Sequence, residues 1–480
     1  MIDAGIGANS ASGTRYGIDN SLKLNSANSE YLYETRDASG SDWNRLLWTA
    51  SMWVKHMPTE SSATSPKERM FGAADANNDF DIRFRGQPIG FRNNSDVDGV
   101  AELRTTAVYR DYNAWMHIVA VWDTANSTAG NRMRLYVNGE EVTGFSTDTQ
   151  PSQNEKSVWG KKNDGTDGNV THTIGAYYNS SSGFAQGFNG YMAEVHWVEG
   201  QALAPSDFGE FDTGIWIPKE YTGSYGTNGF YLKFEDSSNL GLDSSGNSHN
   251  WSLSNLTAAD QATDTPTNNF ATLNQLHYTT KYTITEGGTN QVSSVNGWGT
   301  SVGSIGVTSG KWYFEIKTPD NNGYTTFGAI DADSILSQYL NGDAHAGDTP
   351  YGISYYGGNG GIIVNGSYIS GTSFSSYNTQ IMGCALDLDN NKIYFSKSGT
   401  YGNSGNPVTG ANGISLPSGG SGTWFFSTST YVQPLATNQG GYTTFSISSA
   451  ESDENGYGTF EYAPPTGYYA LCTKNLAEYG

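Results

Sequence analysis

Cysteine is nearly absent from this chain: there are two in 480 residues, Cys384 and Cys472. No Cys/His spacing for a metal site can be drawn from them, and Cys384, at an apolar position of its strand, is expected to be a buried free thiol rather than half of a disulfide. Charge is also sparse, at 15% of residues, and positive charge is the scarcer sign: 25 Lys and Arg stand against 47 Asp and Glu, a formal net charge of −22. That balance argues against nucleic acid and anionic membranes as partners, because both need a basic footprint. No apolar run is long enough to cross a membrane, and the first 30 residues carry no basic head followed by an apolar stretch, so neither membrane insertion nor a signal peptide is expected. Helical periodicity over any length is missing. So are a nucleophile elbow, a phosphate-cradling glycine loop and a Ser/His/Asp arrangement, which together weigh against an enzyme.

What the chain has in plenty is glycine, tyrosine and tryptophan, 60, 31 and 12 of them. Turn residues alternating with aromatic segments point to an all-β protein, and the length suits two sandwiches with a connector. Residues 1–20 are small and polar, either a flexible terminus or an arm that orders when docked, with Ile2, Asp3, Ile6 and Tyr16 as its docking candidates. Residues 21–203 read as a series of short strands forming a jelly roll. Within them, Trp115–Trp122 is apolar almost throughout, as in a strand covered on both faces, and Asn138-Gly139 sits between alternating residues, the strongest short hairpin signal. Residues 204–274 form a connector whose aromatic segments, Phe208–Asp212 and Trp216–Tyr221, are expected to pack along the first domain. Residues 275–480 form a second sandwich and its tail. Its clearest element is Gln380–Gly399, where Met382, Cys384, Leu386 and Leu388 alternate, Asp389-Asn390-Asn391 turns, and Ile393 and Phe395 resume.

Two stretches of that region, GKWYFEIK from Gly310 and MGCALDLDNNKIYFSKSG from Met382, resemble the SPRY family over about residues 275–447, which implies a bent β-sandwich that binds partners through loops. Tyr442–Ile447 stands where the family has its closing strand. The ordered set WTASMWVK, AWMHIVAVWD, MRLYVNGEEV, IGAYY and FNGYMAEVHWVEGQAL resembles the laminin G-like branch of the concanavalin A-type lectin and glucanase superfamily over residues 20–203. That implies a jelly roll binding glycans or proteins, sometimes through calcium. The connector wording YGTNGFYLKFEDSS, GLDSSGNSHNW and DTPTNNFATLN, with the tail from Pro464 to Leu476, resembles structural proteins of marine bacteriophages. This resemblance implies a tail fibre or spike on the virion surface, made in the host cytoplasm and released by a route such as lysis. Its partners would be other virion proteins and a host-surface glycan or protein, and it would be a homo-oligomer, trimeric if a fibre. A capsid or tail decoration protein is the alternative, and a glycan-active enzyme a further one.

Candidate contacts follow from chemistry. Sugars present apolar faces that stack on Tyr and Trp, so Tyr177, Tyr178, Tyr324, Tyr339, His345 and Tyr377 are the receptor-binding candidates, the last four on loops of the second sandwich. Asp75, Asn77 and Asp79 alternate oxygen donors, a pattern that allows calcium but reads better as a turn into the next strand; Asn163–Asn169 is similar, and both lack the closing glutamate of an EF-hand loop. No other cofactor is implied. Glu210-Phe211-Asp212 lacks the second glutamate of the glucanase run, so no catalytic residue is assigned.

Overall fold

The computed structural model describes residues 15–36, 42–58, 67–162, 170–179, 183–276, 281–293, 297–318, 324–335, 344–369, 376–377, 379–431 and 433–480. They divide into two compact units, Thr14–Thr267 and a second that holds residues 268–480. Both are β-sandwiches, so the chain is all-β, with a short helix at Thr473–Tyr479.

In the first unit two eight-stranded antiparallel sheets face each other. The first runs Glu140–Glu141, Met133–Val137, Met116–Asp123, Leu47–His56, Gly190–Glu199, Ser21–Leu24 and Gln261–Ala262, with Phe230–Leu232 paired to the side of Gly190–Glu199. The second runs Phe145–Thr149, Gly99–Thr105, Ile89–Ser95, Asp79–Arg85, Lys67–Ala74, Val170–Ile174, Tyr31–Arg36 and Ser252–Ser254. Period-two alternation sends Trp48, Met52, Trp122, Ile118, Phe80, Ile82 and Phe91 into the space between them, where all are fully buried. The Asn138-Gly139 turn has the two positive φ angles of a tight hairpin, +48° and +84°, conformations that Asn and Gly tolerate best.

The outer face of the first sheet is closed. Phe208, Tyr221 and Tyr225 pack on Val119, Val121, Tyr136 and Val198, and for this reason Met116–Asp123 is apolar on both faces. Charged groups trapped beneath this cover are paired: Lys55 Nζ lies 2.7 Å from Asp264 Oδ2, with side chains 0% and 1% exposed. Trp115 Nε1 also donates to Asp264. Among the described residues, the outer face of the second sheet is covered in part, by the hairpin Tyr177–Asn179/Gly183–Ala185. Gly72 permits that approach, since a Cβ there would stand 2.7 Å from the Ala176 carbonyl.

The second unit pairs a nine-stranded sheet, with Lys311–Lys317 and Ile381–Asp387 at its centre, and a six-stranded sheet with Trp424–Thr430 and Thr325–Asp331 at its centre. Trp312, Phe314, Ile316, Met382, Cys384 and Leu386 meet Phe327 and Phe426 in the core. Ile381–Asp387 is buried on both faces, because Phe460, Tyr468, Ala470 and Cys472 pack over Tyr313, Ala385 and Tyr394. Both cysteines are free and buried. Tyr442–Ile447 is not a strand; Leu435–Asn438 pairs with Lys311–Lys317 in its stead, and the Gly440-Gly441 pair that follows, with Gly440 at φ +105°, turns the chain out of the sheet.

Candidate functional site

The Tyr31–Arg36 strand sends Leu32 into the core and Tyr31, Tyr33 and Thr35 to the outer face of the second sheet. Its neighbours place Thr171 opposite Thr35 and Ser254 opposite Tyr31. The hairpin from Tyr177 then folds over and brings Tyr178 to the same spot, its ring 6.3 Å from that of Tyr31 at an interplanar angle of 23°. Tyr33 stands 5.9 Å from Tyr31, tilted by 52°, and Phe184 backs Tyr31 at 5.3 Å. The result is a pocket of about 370 Å³ lined by Tyr31, Tyr33, Thr35, Thr171, Tyr178, Leu253, Ser254 and Asn255, within the size range of small-molecule sites.

The chemistry of this lining is specific. The half-buried rings of Tyr33 and Tyr178 offer flat apolar surface, and Tyr31, 8% exposed, backs them. Around them stand hydroxyls and one amide whose Nδ2 is already committed to the Asn28 carbonyl, 2.8 Å away. The phenol groups of Tyr31, Tyr33 and Tyr178 make no hydrogen bond to any described residue, so their donors and acceptors remain for a ligand. Tyr177 points elsewhere: the Arg69 guanidinium lies 4.2 Å from its ring centre.

A second aromatic group lies in the other unit. Trp298 is in edge contact with His345 at 5.2 Å, Tyr356 at 6.1 Å and Tyr431 at 5.9 Å, and Tyr324, 48% exposed, lies 5.8 Å from Tyr431. Thus Tyr324 and His345 are brought together, although His345 is buried, lies 3.4 Å from Asp348, and is held below the usual histidine range by burial. Tyr377 does not join them. It is a core residue, 1% exposed, bonded to Thr325 at 2.6 Å, so it cannot reach a partner.

Other candidates find structural partners. Tyr16 donates to Glu194 at 2.7 Å and lies 2.8 Å from the Tyr231 hydroxyl, inside a network on the covered face of the first sheet; those bonds tie it to its own unit and leave no free handle for docking. In that network burial pushes Glu194 up, but bonds from His196, Tyr231 and Tyr16 outweigh it and hold the carboxylate ionised. Ile2, Asp3, Ile6, Tyr339 and the loop 163–169 lie outside the described residues. The oxygens of Asp75, Asn77 and Asp79 do not converge on a cation. Asp75 accepts from the Asn77 and Asn78 backbone and from Lys161 Nζ at 2.9 Å, whereas Asp79 is held by Arg69, Arg92 and Asn94. Glu210 is exposed on the two-stranded hairpin Gly209–Asp212/Ile215–Pro218, which packs on the outer face of the first sheet through Trp216, whose Nε1 donates to His117 Nδ1 at 3.1 Å.

Tyr31, Tyr33 and Thr171 were not singled out from sequence. The usable signal was the alternation Tyr-Leu-Tyr-Glu-Thr, which puts two tyrosines and a threonine on one face; that this face stays open depends on segments far along the chain.

No curated protein matches the chain. Solved structures similar to it include the SPRY domain of human HERC1, 17% identical over 34% of this chain and 96% of that one, with a TM-score of 0.26. Another is a human SPRY domain, at 15%, 31%, 91% and 0.24 by the same measures. A third is the native heptameric SAP-like pentraxin from Limulus polyphemus, at 13%, 39%, 78% and 0.25. Residues 37–207, which include the central strands of both sheets, match the laminin G-type family model described as the concanavalin A-like lectin/glucanases superfamily, so the first unit carries a laminin G/concanavalin A-like lectin domain.

Proposed function

We propose that this protein binds carbohydrate without cleaving it, and that the pocket on the outer face of the second sheet takes a sugar ring. The observation that carries this reading is the pocket lining: three tyrosine rings with unspent hydroxyls, flanked by Thr35, Thr171, Ser254 and Asn255. A pyranose has an apolar face to stack on such rings and hydroxyls to pair with such groups. Hydrolysis of a glycosidic bond ordinarily needs two carboxylates across the ring, and the lining residues include none, which favours binding. The match of residues 37–207 to the concanavalin A-like lectin/glucanases superfamily supports carbohydrate as the ligand.

The finer reading is a virion fibre or spike that attaches to a host-surface glycan. It draws on the wording of the connector and tail and on the order of the two sandwiches. One shallow pocket gives weak affinity, and copies displayed on one particle raise it through effective concentration; a homo-oligomer anchored by its N-terminal arm would provide that. Labelled protein is expected to coat intact host cells and to block adsorption of the particle, and Tyr33→Ala with Tyr178→Ala is expected to abolish both. Coating that survives the double substitution in a folded variant would remove the pocket from the mechanism.

A further inference from the structure

On the outer face of the four strands from Lys67 to Thr105 the charged side chains are Lys67, Arg69, Arg83, Arg85, Arg92 and Arg104 against Asp79, Asp81 and Glu102. Cations outnumber carboxylates two to one on this face of a chain whose net charge is −22. The register sharpens the imbalance. Arg69 is the direct cross-strand partner of Arg83, and Lys67 of Arg85, and like charges placed opposite each other destabilise a sheet. The carboxylates are already consumed. Asp81 is fully buried against Arg83 at 2.5 Å and Arg69 at 3.4 Å. Asp79 serves Arg69 and Arg92 at 3.1 and 2.7 Å, and Glu102 serves Arg104 at 2.7 Å.

What remains at the open end is cationic. Lys67 is exposed and forms no ion pair with a described residue, and Arg85, 32% exposed, comes no nearer than 3.9 Å to Glu102. Burial and the neighbouring Arg83, Arg85 and Arg69 lower the Lys67 ammonium from its usual range, as expected for a cation among cations.

This patch and the tyrosine pocket share one sheet face. A single row of cross-strand partners runs Glu102, Arg92, Asp81, Gly72, Thr173, Tyr33, so the strands of Lys67 and Arg85 lie two and three strand spacings, roughly 10 and 14 Å, from the tyrosine strand. Tyr177, stacked on Arg69, lies between. We infer that the ligand of this face is an anionic polysaccharide, one sugar seated on the tyrosine pocket while carboxylate or sulfate groups further along the chain pair with Lys67 and Arg85. Guanidinium forks match such planar or tetrahedral oxyanions, and the tyrosines select sugar over a bare polyanion. The inference rests on the carbohydrate reading above and adds the class of sugar.

The full chain is titrated with alginate, dextran sulfate and neutral dextran, with a short duplex DNA as a polyanion that has no sugar face to offer. Alginate or dextran sulfate is expected to bind and dextran not to; whichever of the two binds tighter identifies carboxylate or sulfate. Lys67→Gln with Arg85→Gln is expected to weaken that binding about tenfold, Tyr178→Ala to weaken it as well, and Lys219→Gln, on the other sheet's cover, to leave it unchanged. Equal binding of dextran, indifference to the Lys67/Arg85 pair, or DNA binding that matches the polysaccharide each overturns the anionic ligand. Dextran binding lost in Tyr178→Ala but not in the double variant would overturn it while leaving the pocket intact. Thermal melts confirm that each variant is folded, and Arg85→Lys serves as the conservative control.

Discussion

Asp264 shows how much of the first unit depends on single buried charges. Its two oxygens meet Lys55 Nζ at 2.7 Å and Trp115 Nε1 at 2.9 Å, and Lys55 is wholly buried. Removing one partner of such a pair leaves the other charged group without its counter-ion in a low-dielectric site, at a cost of about 3–5 kcal/mol. Asp264→Asn is therefore expected to lower the urea midpoint of the first unit sharply, while Lys55→Met combined with Asp264→Leu should cost less than the single change. Equal losses would mean that packing, not charge, sets the cost. Tyr178 works on affinity instead: half-buried, and with no polar partner among the described residues, it should cost little stability when changed to Ala, but about 1 kcal/mol of glycan binding, or roughly fivefold in Kd. Neither role is legible locally. In WTASMWVK, Lys55 alternates onto the face opposite the core and reads as solvent-facing; its partner lies 209 residues away.

At the scale of elements, alternation and turn chemistry carried most of the information. Asn138-Gly139 and Asp389-Asn390-Asn391 turn where expected, the latter because Asp387 Oδ1 accepts the Asn390 N–H at 3.0 Å and Asn391 takes a φ of +54°. Tyr442–Ile447 misled because its aromatic and β-branched residues fit a strand, whereas the place beside Lys311–Lys317 is taken by Leu435–Asn438. Further along, one buried side chain ties down the backbone at Glu461 and Tyr462. Glu315, fully buried, accepts the Glu461 and Tyr462 N–H groups at 2.9 Å each and the Tyr313 hydroxyl at 3.1 Å. Burial pushes its carboxyl from 4.5 up to about 7 despite those donors. A pKa raised on folding makes the folded state hold the proton more tightly, so its contribution is complete below about pH 4.5 and is lost as pH rises through 7, about 3 kcal/mol in all. Glu315→Gln is expected to flatten the decline in stability of residues 268–480 between those values; parallel pH profiles for the two proteins would sink the assignment.

For the whole molecule, composition concealed the feature that matters most for binding. A net charge of −22 speaks against anionic partners, yet net charge averages over a surface, and DFDIRFR followed by Arg92 and Arg104 places cations on one face by period two alone. The period was visible in the sequence; that four strands stack their charged positions in register was not, because register is set between strands. An acidic body with one basic face has a kinetic signature. At long range an anionic polysaccharide meets the net negative field and is repelled, whereas in contact it meets Lys67 and Arg85. Raising ionic strength from 0.01 to 0.15 M shortens the screening length from about 30 to about 8 Å, which removes the long-range repulsion first and weakens the exposed contact pairs as well. The association rate with alginate is therefore expected to rise with salt while the dissociation rate rises too, and Lys67→Gln with Arg85→Gln should abolish the second effect but not the first. Stopped-flow or surface-based kinetics at three salt concentrations can separate them. An association rate that falls with salt from the outset would show that the basic face, not the acidic body, governs the approach.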